Sequence, residues 1–248
     1  MDAPHYLLKV GLRRDKVTSF SEYPFSLPVV RNLKSITFHP KVTFLVGENG
    51  TGKSTLLEAL AVASGFNPEG GTRNFSFATR QSHSQLHKAL LISRGLTPYR
   101  DGFFLRAESF YNLATEIENL DAEPAMAPPL IGAYGGRSLH EQSHGESFLA
   151  LLLHRLSGKG LYLFDEPEAA LSPTRQLSAL ARIHELVGLK SQFIIATHSP
   201  ILMAYPDAWI YQLSDNAIER VAYTETEHYA VTRSFLNKHE QMLRELLK

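Results

Sequence analysis

The sequence predicts an α/β protein with a mostly parallel sheet flanked by helices, and three observations carry that prediction. Apolar runs "KVTFLVG" (41–47), "GLYLFDE" (160–166) and "SQFIIATH" (191–198) each end in a glycine or a polar residue. They lack polar–apolar alternation, as strands buried on both faces do. The first two lead into segments with apolar residues at helical spacing, which is the alternation of strands and helices that builds parallel sheets.

Each element follows from local chemistry. The first ~45 residues (1–45) read as antiparallel strands: "YLLKVGL", an alternating stretch around Phe20 to Leu27, then "SITF". "STLLEALAVASG" (54–65) places Leu56, Leu57, Leu60 and Ala61 on one helical face, and Gly65 is a stop. Residues 72–142 form an insert. Within it, "RNFSFATR", "LHKALLISRG" and "DGFFLRAES" suit strands or a strand–helix mixture, and 121–138, rich in Pro, Ala and Gly, suits a surface loop. "SPTRQLSALARIHELV" begins with Ser172 as cap and Pro173 at the first helical position. Its expected apolar face is Leu177, Leu180, Ile183, Leu186 and Val187. Residues 222–248 close the chain with an amphipathic helix carrying Phe235, Leu236, Met242, Leu243 and Leu246, expected to dock on the body or in a dimer.

Composition narrows the function classes. With 248 residues, 44% of them hydrophobic, the chain can bury a substantial core as one domain, 1–248. Net charge is zero, so no global basic field points to nucleic acid. The absence of cysteine excludes disulfides, thiolate zinc sites and a cysteine nucleophile. The N-terminus lacks the apolar core of a signal peptide, and no stretch approaches ~18 apolar residues, so a cytoplasmic protein without membrane insertion is expected. Arg73, Arg80, Lys88, Arg94, Arg100 and Arg106 form a basic stretch that would suit nucleic acid or an acidic effector, or else solvated strand edges.

"GENGTGKST" holds the spacing G-x-x-x-x-G-K-[ST] as Gly47, Gly52, Lys53 and Ser54, with an apolar strand upstream and a helix downstream. Glycines let the backbone curl so that successive N–H groups face phosphate oxygens. Lys53 adds a point charge, Ser54 a Mg²⁺ ligand, and the helix its positive end. Asn49, Gly50, Thr51, Gly52, Lys53, Ser54 and Thr55 therefore form the expected cradle. Asp165 and Glu166 end the second apolar strand, where two adjacent carboxylates are costly unless a hydrated Mg²⁺ or another partner meets them. Asp165 then holds the metal through water, and Glu166 activates the attacking water. His198, at the end of the third strand, could contact the γ-phosphate and that water.

Strand–loop–helix, "DE" and His together resemble the ATP-binding cassette (ABC) superfamily of ATPases, over roughly residues 5 to 215. The family's serine-glycine signature precedes a helix upstream of the paired acids. Here Ser143, Gly145 and Glu146 match it, while His144 replaces a glycine and Gln142 a leucine. Ser143 and Glu146 also have the spacing of a capping box, and the two roles are compatible. "DEPEAALSP" and "THSP" are closer to the RecF-like, SMC-like and OLD-like soluble ATPases than to transporter subunits, although Ser172 stands where transport cassettes usually have Asp. The resemblance implies a P-loop NTPase fold with a small helical signature subdomain, ATP and Mg²⁺ as ligands, and an ATP-dependent homodimer. Each subunit would offer its phosphate loop to one nucleotide and Ser143 to the other. The glutamine-loop position falls near Glu108 or Ser109, making Glu108 a candidate metal ligand, and Tyr23, Phe25 and Arg13 are candidates to pack on adenine. The expected activity is ATP hydrolysis in a non-transport role such as DNA maintenance or defence. The alternatives are the ATPase subunit of a membrane transporter or a P-loop kinase of a small molecule.

Overall fold

The three apolar runs become neighbouring parallel strands at the centre of one sheet. In a computed structural model, residues 5–72, 84–108, 110–122 and 128–248 are described. In chain order the strands are β1 (Leu7–Leu12), β2 (Ser35–Thr37), β3 (Val42–Gly47), β4 (Leu90–Arg94), β5 (Asp101–Arg106), β6 (Gly160–Asp165), β7 (Gln192–Ala196), β8 (Trp209–Leu213) and β9 (Ile218–Val221). The helices are α1 (Pro28–Asn32), α2 (Lys53–Ala63), α3 (Phe110–Ala122), α4 (His144–Ala150), α5 (Pro173–Gly188), α6 (Pro200–Met203) and α7 (Glu227–Leu246). The main sheet runs β5-β6-β7-β3-β8-β9, parallel except for β9, and a second sheet, β2-β1-β4, is antiparallel.

Side chains alternate across β6 in the expected way. Tyr162 and Phe164 enter one core with Phe148 of α4 and Ile183 and Leu186 of α5. Leu161 and Leu163 enter the other, with Leu56, Leu57 and Leu60 of α2 and Val10 and Ile36 of the small sheet. Both faces are therefore covered, and the long apolar strands need no polar alternation.

Three expectations change. The stretch from Phe20 to Leu27 forms turns and not a strand: Pro24 and Pro28 lack N–H groups, and Ser26 N donates to Glu22 O at 2.8 Å on the way into α1. The small sheet instead takes its third strand, β4, from the 72–142 insert; "RNFSFATR" lies outside the described residues. On α5 the buried stripe is Gln176, Ala179, Ile183 and Leu186, and Leu177 points outward with 58% of its surface exposed. Finally, α7 buries no residue, so its docking on the body is confined to its first turns. No described helix is long and apolar enough to cross a membrane.

Candidate nucleotide-binding site

The carboxyl ends of β3, β6 and β7 lie side by side, and each delivers one part of the site. After β3 the chain turns at Gly47, where a Cβ would sit 2.3 Å from the Leu213 carbonyl oxygen, and at Gly52, left-handed at φ 96°. Val29 N donates to Thr51 O at 3.0 Å, and the Thr51 hydroxyl donates to Glu48 O at 2.9 Å, tying the curled loop to α1 and to itself. Asn49 and Gly50 are exposed at the tip; Ser54 and Thr55 lie half-buried in the first turn of α2. Lys53 is buried, and its Nζ donates to Gly47 O at 2.8 Å and Glu48 O at 2.9 Å. Burial lowers its pKa, against the opposing pull of Glu166 and Asp165. Phosphate oxygens arriving in the loop would replace these two carbonyls as the ammonium's partners.

Asp165 is buried at the end of β6, beside Arg106 of β5 in the sheet register. Burial pushes its carboxyl up to about 7, and the neighbouring Ser54 hydroxyl and Arg106 guanidinium oppose that. Among the described residues its Oδ1 has no hydrogen-bond partner, while Oδ2 lies 3.9 Å from Arg106 Nε. A buried carboxylate oxygen left bare next to a serine hydroxyl fits a hydrated cation, so Ser54 and Asp165 suit Mg²⁺. Glu108 does not join them: its side chain is 83% exposed and its Oε2 takes the other end of Arg106 at 3.2 Å. Ser109, the other candidate at that position, lies outside the described residues. Among the described residues, no group of three or more His, Asp or Glu side chains could hold a metal by itself. Arg106 also pairs with Glu58 of α2 at 2.7 Å, so this arginine ties β5, β6 and α2 together.

Glu166 adopts φ 50°, ψ 53°, a left-handed backbone that a bulky L residue rarely takes. Its N–H donates to Ala196 O at 2.9 Å, which anchors the turn to β7. Strained residues of this kind cluster where geometry serves function. The carboxylate Oε1 lies 3.7 Å from His198 Nε2. His198 N donates to Glu168 Oε1 at 2.5 Å, so Glu168, within the quoted "DEPE" but given no role from the sequence, holds the histidine's backbone. Burial raises the Glu168 carboxyl. The His198 ring meets a second unforeseen residue, His228 of α7, with Nδ1 to Nε2 at 2.9 Å.

Ser143, Gly145 and Glu146 stand at the start of α4. Glu146 Oε2 accepts from both Ser143 N (2.9 Å) and Ser143 Oγ (2.7 Å), so the capping box is real. Arg175 of α5 reaches the same cap, 3.3 Å from Ser143 Oγ and 3.5 Å from Glu146. Glycine is required at 145, because a Cβ would meet Arg175 Nη1 at 2.4 Å and the Ala170 carbonyl at 2.7 Å. The hydrogen bonds of Ser143 and Glu146 go to each other, to Ser147 and to Arg175, none of them in the phosphate loop. The basic stretch divides: Arg94 donates to Ala63 O at 2.6 Å, Arg106 serves the site, and Arg73 and Arg80 lie outside the described residues.

A glycine-rich loop between β3 and α2, paired acids at the end of β6 and a histidine after β7 together make the pattern of a P-loop nucleotide site. Two AAA family models each match part of the chain. One, "AAA domain", matches residues 20–97; the other, "AAA domain, putative AbiEii toxin, Type IV TA system", matches residues 132–204. The ribose import ATP-binding protein RbsA of Bacillus cereus is 26% identical over 186 residues, 69% of this chain and 37% of RbsA. The chain thus spans about a third of that relative's length. Two solved folds are similar. A nucleotide-free ATP-binding cassette from an ABC transporter has a TM-score of 0.54, with 17% identity over 92% of this chain and 95% of that one. MJ1267, an ATP-binding cassette of an ABC transporter in its ADP conformation, has a TM-score of 0.51, with 18% identity over 87% and 89%.

Proposed function

We propose that this domain hydrolyses ATP between two copies of itself, each completing the other's site, in the cytoplasm and in a role other than transport, such as DNA maintenance or defence. The carrying observation is the division of groups. Lys53, Asp165, Glu166 and His198 converge on one loop, whereas Ser143 and the N-terminus of α4 hydrogen-bond only within their own neighbourhood. A serine-tipped helix start is an anion site in search of an anion, and a second subunit's γ-phosphate would supply one. Two copies meeting around a two-fold axis would use both halves twice.

Within that arrangement the protein's groups take distinct tasks. Lys53 exchanges loop carbonyls for phosphate oxygens. Glu166 accepts the proton of the attacking water, and His198 Nε2 stands beside it to contact the γ-phosphate. Ser54 and, through water, Asp165 would hold Mg²⁺, which supplies positive charge to the β- and γ-phosphates. Support for the non-transport reading comes from "DEPEAALSP…THSP" and from the AAA matches. The likeness to RbsA and to transporter cassettes favours the second reading, a transporter's ATPase subunit, which would copurify with an integral membrane protein.

Glu166→Gln tests the proposal. With ATP it should elute as a dimer on size exclusion, with turnover lowered ~10²-fold or more, the scale of losing a general base. Adding Ser143→Arg should return it to monomer while single-subunit ATP binding persists. A Glu166→Gln protein that stays monomeric with normal turnover overturns the reading.

A further inference from the structure

We infer that His228, on the first turn of α7, is a positioning residue that donates its Nε2–H to His198 Nδ1 and thereby fixes His198 as the Nε2–H tautomer, the form that can donate to phosphate or water. The inference rests on the reading of His198 as a nucleotide-facing group, and adds to it a residue from a different element.

The geometry admits one proton between the two rings. His198 Nδ1 and His228 Nε2 are 2.9 Å apart, with ring centroids at 5.1 Å and planes inclined by 59°. If His198 donated, its Nε2 would carry a lone pair facing the Glu166 carboxylate 3.7 Å away, and that contact would be repulsive. If His228 donates, His198 Nε2 carries a hydrogen toward the same carboxylate, and the contact becomes attractive. The hydrogen bond at one imidazole nitrogen sets the proton at the other. His198 Nε2 has no other partner among the described residues, so nothing within the chain competes for that hydrogen. Burial holds both imidazoles below their ordinary range, with Lys53 adding to the effect at each, which favours a neutral pair.

Both rings are held from behind. The His198 backbone is tied to Glu168. The start of α7 is fixed by the buried Thr226, whose hydroxyl donates to Tyr223 O at 2.8 Å and accepts from Tyr229 N at 3.3 Å. Tyr223 in turn donates its hydroxyl to Pro200 O at 2.9 Å, two residues beyond His198. The orientation of α7 therefore bears directly on which nitrogen of His198 is protonated, much as outer partners orient metal-bound histidines.

The test uses the full chain and two readouts. Nitrogen-15 spectra of the nucleotide-free protein at neutral pH should show His198 with a protonated Nε2 and a bare Nδ1. In His228→Phe that bias should be lost, and kcat should fall about 3- to 10-fold, the worth of one net hydrogen bond, while KM for ATP changes less than about twofold. His228→Gln, whose amide can place a donor where Nε2 stood, should restore both the tautomer and kcat to within about twofold. A protonated Nδ1 on His198 in the parent protein overturns the inference, as does a His228→Phe protein with unaltered spectrum and kcat. His198→Ala separates the two levels. Normal turnover in that variant removes the nucleotide role of His198 and the kinetic consequence with it, whereas the tautomer is decided by the spectrum alone.

Discussion

The ends of β3, β6 and β7 and the starts of α4 and α7 place their functional groups by different means. Gly47, Asp165 and the turn leading to His198 are located by sheet register: Leu45 and Asp165 both pair with Ala196, so the three strands advance together. A slip of one residue would turn every side chain to the wrong face of a sheet buried on both sides. Ser143 and His228 instead stand at helix starts held by side-chain caps, Ser143 with Glu146 and Thr226 with Tyr229 N. A cap is worth about 1 kcal/mol, so such an element can tilt at modest cost. The contrast is between a rigid half held by sheet register and an adjustable half held by helix caps.

The largest effect that would sharpen this contrast lies at Phe164. The ring is 1% exposed, one residue before Asp165, and it packs edge-on against Phe193 of β7 and Phe148 of α4 at 5.6 and 6.3 Å between centroids. Phe164→Ala should lower stability by about 3–5 kcal/mol, read by urea denaturation. A loss under about 1 kcal/mol would mean that the sheet is not the rigid partner, and the comparison would break.

Asp101, at the opposite end of β5 from the site, should come next. It accepts from Tyr162 Oη at 2.7 Å, Arg155 Nη1 at 3.0 Å and Ser157 N at 3.1 Å. Burial alone would raise its carboxyl, but Arg155 and these hydrogen bonds outweigh it and hold the group below the ordinary carboxylate range. A depressed carboxyl stabilises the fold above its unfolded pKa and loses that contribution as pH falls through the folded one. Asp101→Asn should therefore cost about 1.5–3 kcal/mol at pH 7. The gap from the parent should narrow as the pH drops below about 4. A gap that stays constant across that range would show that the ionised form does not matter.

The same contrast decides what was legible in the sequence. Lys53 stood out through the G-x-x-x-x-G-K-[ST] spacing, and Asp165, Glu166 and His198 because each stands at the end of an apolar run, where a polar residue is costly without a partner. Ser143 was legible through its three-residue spacing to Glu146, although the same spacing serves the cap. Arg106, Arg175, Glu168 and His228 were not. Arg106 reads as one of several scattered arginines until the β5–β6 register sets it beside Asp165. His228 lies thirty residues from His198, and only the path through β8 and β9 back to α7 brings the rings together. The pairing of Glu108 with Arg106 was not legible either, because a sequence position does not reveal which neighbouring arginine meets its carboxylate. Leu177 was misassigned because the helical stripe on α5 is led by the half-polar Gln176, whose amide donates to Leu171 O at 3.0 Å.

The smallest expected effect is at Leu236, and it bears on the adjustable half. On α7 the apolar residues Val231, Leu236, Leu243 and Leu246 are exposed, and the helix departs from helical geometry at Lys238, with φ −138°. Leu236 is 69% exposed in the single chain. Its replacement by Ala removes little buried area and slightly favours the helix, since Ala has the higher propensity. Leu236→Ala should therefore shift stability by no more than about 0.5 kcal/mol in dilute, nucleotide-free protein. Thermal melts at two protein concentrations provide the check. A penalty that is small when dilute and grows with concentration would show that self-association covers this face. A large penalty at every concentration would show that α7 packs on its own body more tightly than its exposed side chains indicate, and the division into a rigid and an adjustable half would have to be redrawn.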